Sequence, residues 1–233
     1  MSDYGYISDN LKALCGHIEE LSRSVGREVT LVCVTKSGTD DELLALASLG
    51  ITDVGENRPQ QLKRRGELLR EHGYLPRLHE IGNLQKNKVR QIIDGVALIH
   101  SVDSAGLAEE IGRQARRVGR VVPVLLEVNS AEEENKGGVS PKDAEALYLA
   151  VKDIEGVCVS GLMTMGPVTE CAEDIRPYFK RTKALFDELN GKYGFPNGGI
   201  LSMGMSDSYA VAIEEGATLV RVGSRLFEKR KEV

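Results

Sequence analysis

The chain has 233 residues, long enough for one large domain with a real core, and 30 Lys and Arg against 35 Asp and Glu give a net charge of −5. That balance offers no electrostatic reason to expect nucleic acid or an anionic membrane as partner. No apolar stretch is long enough to span a bilayer, Met1-Ser2-Asp3-Tyr4-Gly5-Tyr6 lacks a basic-then-apolar leader, and Cys15, Cys33, Cys158 and Cys171 form no CxxC pair, so a cytoplasmic protein with reduced thiols is expected.

Helical spacing opens the chain, with Leu11, Leu14, Ile18, Leu21 and Val25 on one face of a segment from about Ile7 to Val25. Strands and amphipathic segments then alternate. Strands are predicted at 29–35, 51–55, 77–81, 96–100, 121–128, 157–163, 199–202 and 218–222. Helices are predicted between them at 40–49, 58–72, 85–93, 104–118, 141–153, 174–192 and 207–215. Gly50, Gly119, Gly156, Gly194 and Gly216 stand where helices should stop. Eight βα units in order predict an α/β fold, a TIM (β/α)8 barrel, as one domain over residues 1–233 with an extra N-terminal helix. An open doubly wound sheet is the alternative. It would carry a glycine-rich phosphate turn after the first strand, but Thr35-Lys36-Ser37-Gly38-Thr39 has no GxGxxG.

In a barrel, function collects where strands end. Lys36 closes the apolar run 29–35. Burial would lower its pKa and leave an amine able to condense with an aldehyde, or the side chain simply reaches water past the strand end. Gly223 and Ser224 follow the last strand, and Ser202-Met203-Gly204-Met205-Ser206-Asp207 follows the seventh. Ser206 is expected as N-cap of the next helix, and Gly223 allows close backbone approach, so the two loops are expected to share one anion. Barrel closure sets Arg221 on the strand beside that of Lys36. Arg221 either presses on the lysine as a second cation or pairs with Glu127 or Glu56. His79 and His100 lie within or at the end of strands and are expected as hydrogen-bonded structural histidines, and no histidine spacing suggests a metal site. Glu132-Glu133-Glu134-Asn135-Lys136 reads as a solvated loop. Lys86 and Lys88 read as a solvated face or as an attractor of a phosphorylated ligand.

A strand-end lysine, a nearby arginine and a phosphate cradle suit pyridoxal 5′-phosphate, and equally a lysine aldolase acting on a sugar phosphate. Several segments, in order over nearly the whole chain, resemble the pyridoxal phosphate homeostasis protein family. They are Val34-Thr35-Lys36, Gly55-Glu56-Asn57, the run from His79 to Lys88, His100 to Asp103, Val128-Asn129 with Lys136 to Gly138, Leu201 to Ser206, and Val220 to Phe227. The HxIGxLQxNK and SMGMS runs are the specific ones.

The resemblance implies a barrel similar to the N-terminal domain of alanine racemase. It implies a cofactor Schiff base on Lys36, Arg221 facing the pyridine nitrogen, and Asn57 beside the ring. It also implies phosphate loops carrying Ser206, Gly223 and Ser224, with Ser202 and Gly204 close by. Three positions depart from the family pattern: Arg58 stands where tyrosine is common, Glu228 where glycine is usual, and Leu78 where an aromatic residue is frequent. Lys136 matches a family motif.

An arginine partner leaves the ring nitrogen unprotonated and the cofactor a poor electron sink. Racemisation would also need a second acid or base on the opposite face, which a separate domain supplies in alanine racemases, and only twelve residues follow Arg221 in this sequence. The expectation is therefore an open, one-sided site. The chain would be a monomeric carrier or buffer in pyridoxal phosphate homeostasis, without evident turnover, serving pyridoxal phosphate-dependent apo-enzymes if any partner. A pyridoxal phosphate-dependent amino-acid racemase is the alternative.

Overall fold

The computed structural model describes residues 4–133, 135–167, 169 and 171–229. Glu134 of the acidic loop and the C-terminal residues from Arg230 lie outside the described residues. Eight parallel strands close into a barrel in chain order: β1 (Thr30–Val34), β2 (Asp53–Glu56), β3 (Arg77–Glu80), β4 (Val96–Val102), β5 (Val122–Glu127), β6 (Val157–Met163), β7 (Ile200–Ser202) and β8 (Leu219–Val222). β1 pairs with β8, with Cys33 opposite Val222, so the first and last strands are neighbours. The expected TIM barrel is the observed fold, and the open sheet is excluded by closure.

The helices are α1 (Gly5–Val25), α2 (Asp40–Ser48), α3 (Pro59–Glu71), α4 (Ala105–Arg117), α5 (Ala144–Val151), α6 (Arg176–Tyr193), α7 (Tyr209–Glu214) and α8 (Ser224–Phe227). Local chemistry sets several of their ends. α2 starts in a capping box, in which Thr39 Oγ1 accepts from the Glu42 N–H and the Glu42 carboxylate accepts from the Thr39 N–H. α3 takes Pro59 in its first turn, where a missing N–H costs nothing. α6 ends at Gly194 with φ 71°, a left-handed turn that glycine adopts without a Cβ clash. Segment 85–93 is a correction. It forms a 3-10 helix over Lys86–Gln91, because so short a stretch gains little from i→i+4 cooperativity.

Two apolar clusters hold the barrel. Val32, Leu98, Leu125, Met163 and Leu219 fill its interior. A larger cluster seals the sheet against the helices, with Phe179, Leu43, Leu62 and Ile111 fully buried. Burying such side chains stabilises by roughly 1.5–3 kcal/mol each. The added helix α1 packs on α7 and α8. Its Asn10 Nδ2 donates to the Leu226 and Glu228 carbonyls at 3.2 and 2.9 Å, fastening the segment that follows β8. Among the described residues no helix is long and apolar enough to cross a membrane.

Candidate functional site

A cavity of about 500 Å³ opens at the C-terminal ends of the strands. Lys36, Asn57, Ser206, Arg221, Gly223 and Ser224 all line it. Val34, Ile81, Met165 and Met205 supply apolar wall, and Met165 and Met205 are exposed at the rim. The polar remainder includes Asn83, Glu127 and Asp207. The surface is thus apolar on its sides, cationic at Lys36 and Arg221, and hydroxyl-rich at one end.

Lys36 is exposed, which corrects the expectation of a buried ammonium. β1 ends at Val34, and Thr35 takes the last buried position, so Lys36 stands beyond the strand over the mouth. Its loop is nonetheless held. The guanidinium of Arg65, buried on α3, donates through Nη1 to the Thr35 carbonyl and through Nη2 to the Gly38 carbonyl. Arg65 Nη1 also pairs with Glu56 Oε1 at 2.8 Å, and Thr35 Oγ1 donates to the same oxygen at 2.6 Å. Burial pushes the Glu56 carboxyl up against the pull of Thr35 and Arg65.

Arg221 is buried and, among the described residues, has no bonded carboxylate. Its Nη1 donates to Ser202 Oγ at 2.5 Å and its Nη2 to the Thr164 carbonyl at 3.1 Å. Burial brings its pKa down to about 10, with Glu127 opposing, so it stays charged at neutrality. Glu56 belongs to Arg65, while Glu127 acts on Arg221 through space. Glu127 itself is pushed up to about 7, by burial first and by Asp103, against the attraction of Arg221. A carboxyl of that kind exchanges protons near neutrality.

Ser206 is not the cap expected from the sequence. α7 begins later, with Ser208 as its N-cap. Residues 206–208 form a turn, and the Ser206 hydroxyl accepts instead from the Gly223 N–H at 3.3 Å, tying the loop after β7 to the loop after β8. A Cβ at Gly223 would lie 3.0 Å from the Val34 carbonyl oxygen, so glycine lets the β8 loop close onto β1. A Cβ at Gly82 would fall 2.2 Å from the Asn57 carbonyl oxygen, which explains a glycine beside the asparagine loop. Ser202 and Gly204 lie behind the wall. Ser202 is fully buried beneath Arg221, and the Gly204 carbonyl accepts from the Arg221 N–H at 3.1 Å.

Other candidates fall elsewhere. Arg58 is exposed at the N-cap of α3, and Leu78 is buried where a Cβ on Gly66 would touch it at 2.5 Å; neither lines the cavity. Lys86 and Lys88 lie on the 3-10 helix and do not line the cavity. Lys136 donates to Glu133 and to the Gly166 carbonyl at 3.0 Å each, beside a small cleft adjoining Glu127. His79 and His100 are buried and hydrogen-bonded to each other at 3.0 Å, as expected of structural histidines. Among the described residues no group of three or more His, Cys, Asp or Glu is placed to hold a metal. Sequence reasoning missed Glu127 as wall and Arg65 as clamp. The signal available for Glu127 was a charged residue ending an apolar strand.

The chain is similar to known proteins over nearly its whole length. Residues 10–230 match the family described as alanine racemase, N-terminal domain. A pyridoxal phosphate homeostasis protein of Aquifex aeolicus is 39% identical over 228 residues, covering 96% of this chain and 98% of that protein. One from Helicobacter pylori is 36% identical, covering 98% and 100%. The structure of PipY from Synechococcus elongatus, solved with PLP bound, superimposes with a TM-score of 0.82 at 28% identity, covering 95% of this chain and all (100%) of that one.

Proposed function

The chain belongs to the pyridoxal phosphate homeostasis protein family, and from that premise we propose that it is a cytoplasmic carrier holding pyridoxal 5′-phosphate on Lys36 as a Schiff base, without turnover. One observation carries the reading: Lys36, Arg221 and the two hydroxyl-rich loops line one cavity. The lysine amine would condense with the aldehyde, forming a C=N bond and releasing one water. Ser206, Gly223 and Ser224 would take the phosphate, Asn57 would lie beside the ring, and Ile81, Met165 and Met205 would face its apolar surface. The bound group would supply a reactive aldehyde and an electron-withdrawing ring. Arg221, charged and offering donors only, suits an unprotonated ring nitrogen and so a weak electron sink. Ser202 and Gly204 act from behind, by holding Arg221.

The reading extends to a single domain of 233 residues, monomeric, with free thiols and with apo-enzymes as recipients. PipY, the structural relative solved with PLP bound, supports the cofactor assignment. The test is mass spectrometry of borohydride-reduced protein with peptide mapping. The adduct is expected on Lys36, and Lys36→Ala is expected to be colourless. Retention of the full absorption by that variant, or an adduct on another amine, would overturn the assignment.

A second reading, an amino-acid racemase, is favoured by Glu127, whose carboxyl titrates near neutrality on the cavity wall. Exchange of the α-hydrogen of amino acids in deuterated water would establish it. No exchange across a broad amino-acid panel by cofactor-loaded protein would remove it.

A further inference from the structure

We infer that Asp53, His79, His100 and Ser202 form one directed hydrogen-bond chain that positions Arg221, crossing the barrel interior from the start of β2 to the mouth. The inference rests on the proposed cofactor site for its purpose, while the chain itself is visible in the protein alone. Asp53 Oδ1 meets His79 Nε2 at 2.7 Å, His79 Nδ1 meets His100 Nε2 at 3.0 Å, and His100 Nδ1 meets Ser202 Oγ at 3.0 Å. Ser202 Oγ accepts from Arg221 Nη1 at 2.5 Å. All five side chains are buried. At the far end, Thr52 Oγ1 and Arg77 Nη2 donate to Asp53 Oδ2 at 2.7 and 2.8 Å.

With Asp53 ionised and both imidazoles neutral, one proton order satisfies every link. Asp53 accepts, so His79 Nε2 carries a hydrogen and its Nδ1 accepts. His100 then donates from Nε2 and accepts at Nδ1, where the Ser202 hydroxyl donates. The serine oxygen is left to accept from Arg221. An imidazolium at His79 would reverse His100 and leave the Ser202 hydrogen without an acceptor among the described hydrogen bonds. Arg221, close to His100, opposes a positive charge on that ring. Asp53 and Arg77 flank His79 from β2 and β3, Arg221 faces His100 from β8, and Glu127 faces Arg221 from β5. Burial, then His79 and Arg221, hold the His100 pKa well below the usual value. Burial alone would raise Asp53, but its bonds to His79, Arg77 and Thr52 leave it net below the usual range.

A barrel interior of Val and Leu would be no less stable than this chain, since satisfied buried polar groups roughly break even with apolar ones. What the polar chain adds is direction. Together with the Thr164 carbonyl it fixes the rotation of the guanidinium and leaves the remaining N–H groups for the cavity. Asp53, His79, His100 and Ser202 are therefore positioning residues.

The test uses the full chain. In 15N-histidine NMR without added cofactor, His79 and His100 are both expected as neutral Nε2–H tautomers, and Ser202→Ala should displace the His100 Nδ1 resonance. An imidazolium or an Nδ1–H tautomer at His100 would overturn the proposal. After loading with pyridoxal 5′-phosphate, Ser202→Ala and Asp53→Asn should keep the borohydride-fixed adduct on Lys36. Both should show a displaced absorption band, and Ser202→Ala should release the unreduced cofactor about tenfold faster. Bands and release rates equal to the parent in both variants would also overturn it. Ser202→Ala, which deletes one hydroxyl, decides the matter if Asp53→Asn does not fold. A parent without any adduct on Lys36 would instead defeat the carrier reading, leaving the NMR to judge the chain.

Discussion

Two buried polar clusters serve the same mouth in different ways. Inside the barrel, Asp53, His79, His100, Ser202 and Arg221 satisfy one another link by link. Between the barrel wall and α3, Arg65 and Thr35 share Glu56 Oε1, while Glu56 Oε2 and Glu80 Oε2 are buried without a hydrogen-bond partner among the described residues. Glu56 and Glu80 face each other in register across β2 and β3. The inner cluster holds an arginine whose charge survives neutral pH. The outer cluster holds the Lys36 loop, and one of its acids carries a proton at neutrality, since burial first and then Glu56 push Glu80 up to about 8. The difference lies in completeness: a network with every donor matched resists protonation changes, and one with spare carboxylate oxygens responds to them.

Removing Arg65 should break the outer cluster most severely. Arg65→Ala deletes the donors to Thr35, Gly38 and Glu56 and strands a buried carboxylate, an expected loss of about 3–5 kcal/mol in urea denaturation. A loss under about 1 kcal/mol would show that the clamp contributes little.

Glu80 sharpens the contrast through pH. Unfolded, it titrates near the ordinary 4.5; folded, it holds its proton to about 8. Below the unfolded value both states are protonated and nothing is lost. As pH rises from there, the unfolded state gives up the proton first, so stability falls until about pH 8 and then levels. Glu80→Gln should abolish that slope and gain on the order of 4 kcal/mol at pH 8, with no gain near pH 4. Parallel stability–pH curves for variant and parent would refute it.

Thr35→Val should cost about 1 kcal/mol, the usual worth of a single hydrogen bond, and should slow attachment at Lys36 without preventing it. An unchanged attachment rate would separate the clamp from the chemistry. The smallest effect belongs to the exposed end of the inner chain. Arg77→Ala should change stability by no more than about 0.5 kcal/mol, since its side chain is 62% exposed and surface ion pairs are weak. A loss above about 2 kcal/mol would mean that Asp53 depends on Arg77 as much as on His79.

Much of this was legible in the chain. Apolar runs placed most of the strands, because a parallel strand covered on both faces is largely apolar, while β2 and β3, with Asp53, Glu56, His79 and Glu80, were placed by their position in the alternation. Lys36, Asn57, Arg221, Gly223 and Ser224 were readable as strand-end residues, and a barrel collects strand ends at one rim. Ser206 was read to the right loop but to the wrong bond, because a serine before a helix looks like a cap whether the helix starts at once or after a turn. Of the two readings open for Lys36, the reach to water past the strand end holds, because Thr35 takes the buried position before it.

What the sequence determined alone was therefore the order of elements, the barrel and the rim residues, since each depends on local periodicity and on which residue ends a strand. Only tertiary structure decided the partners. Arg65 lies 30 positions from Thr35, and Ser202 lies 102 from His100, yet each pair is hydrogen-bonded. Which buried polar group meets which depends on register and closure around the whole ring, and no local pattern in the chain encodes that distance.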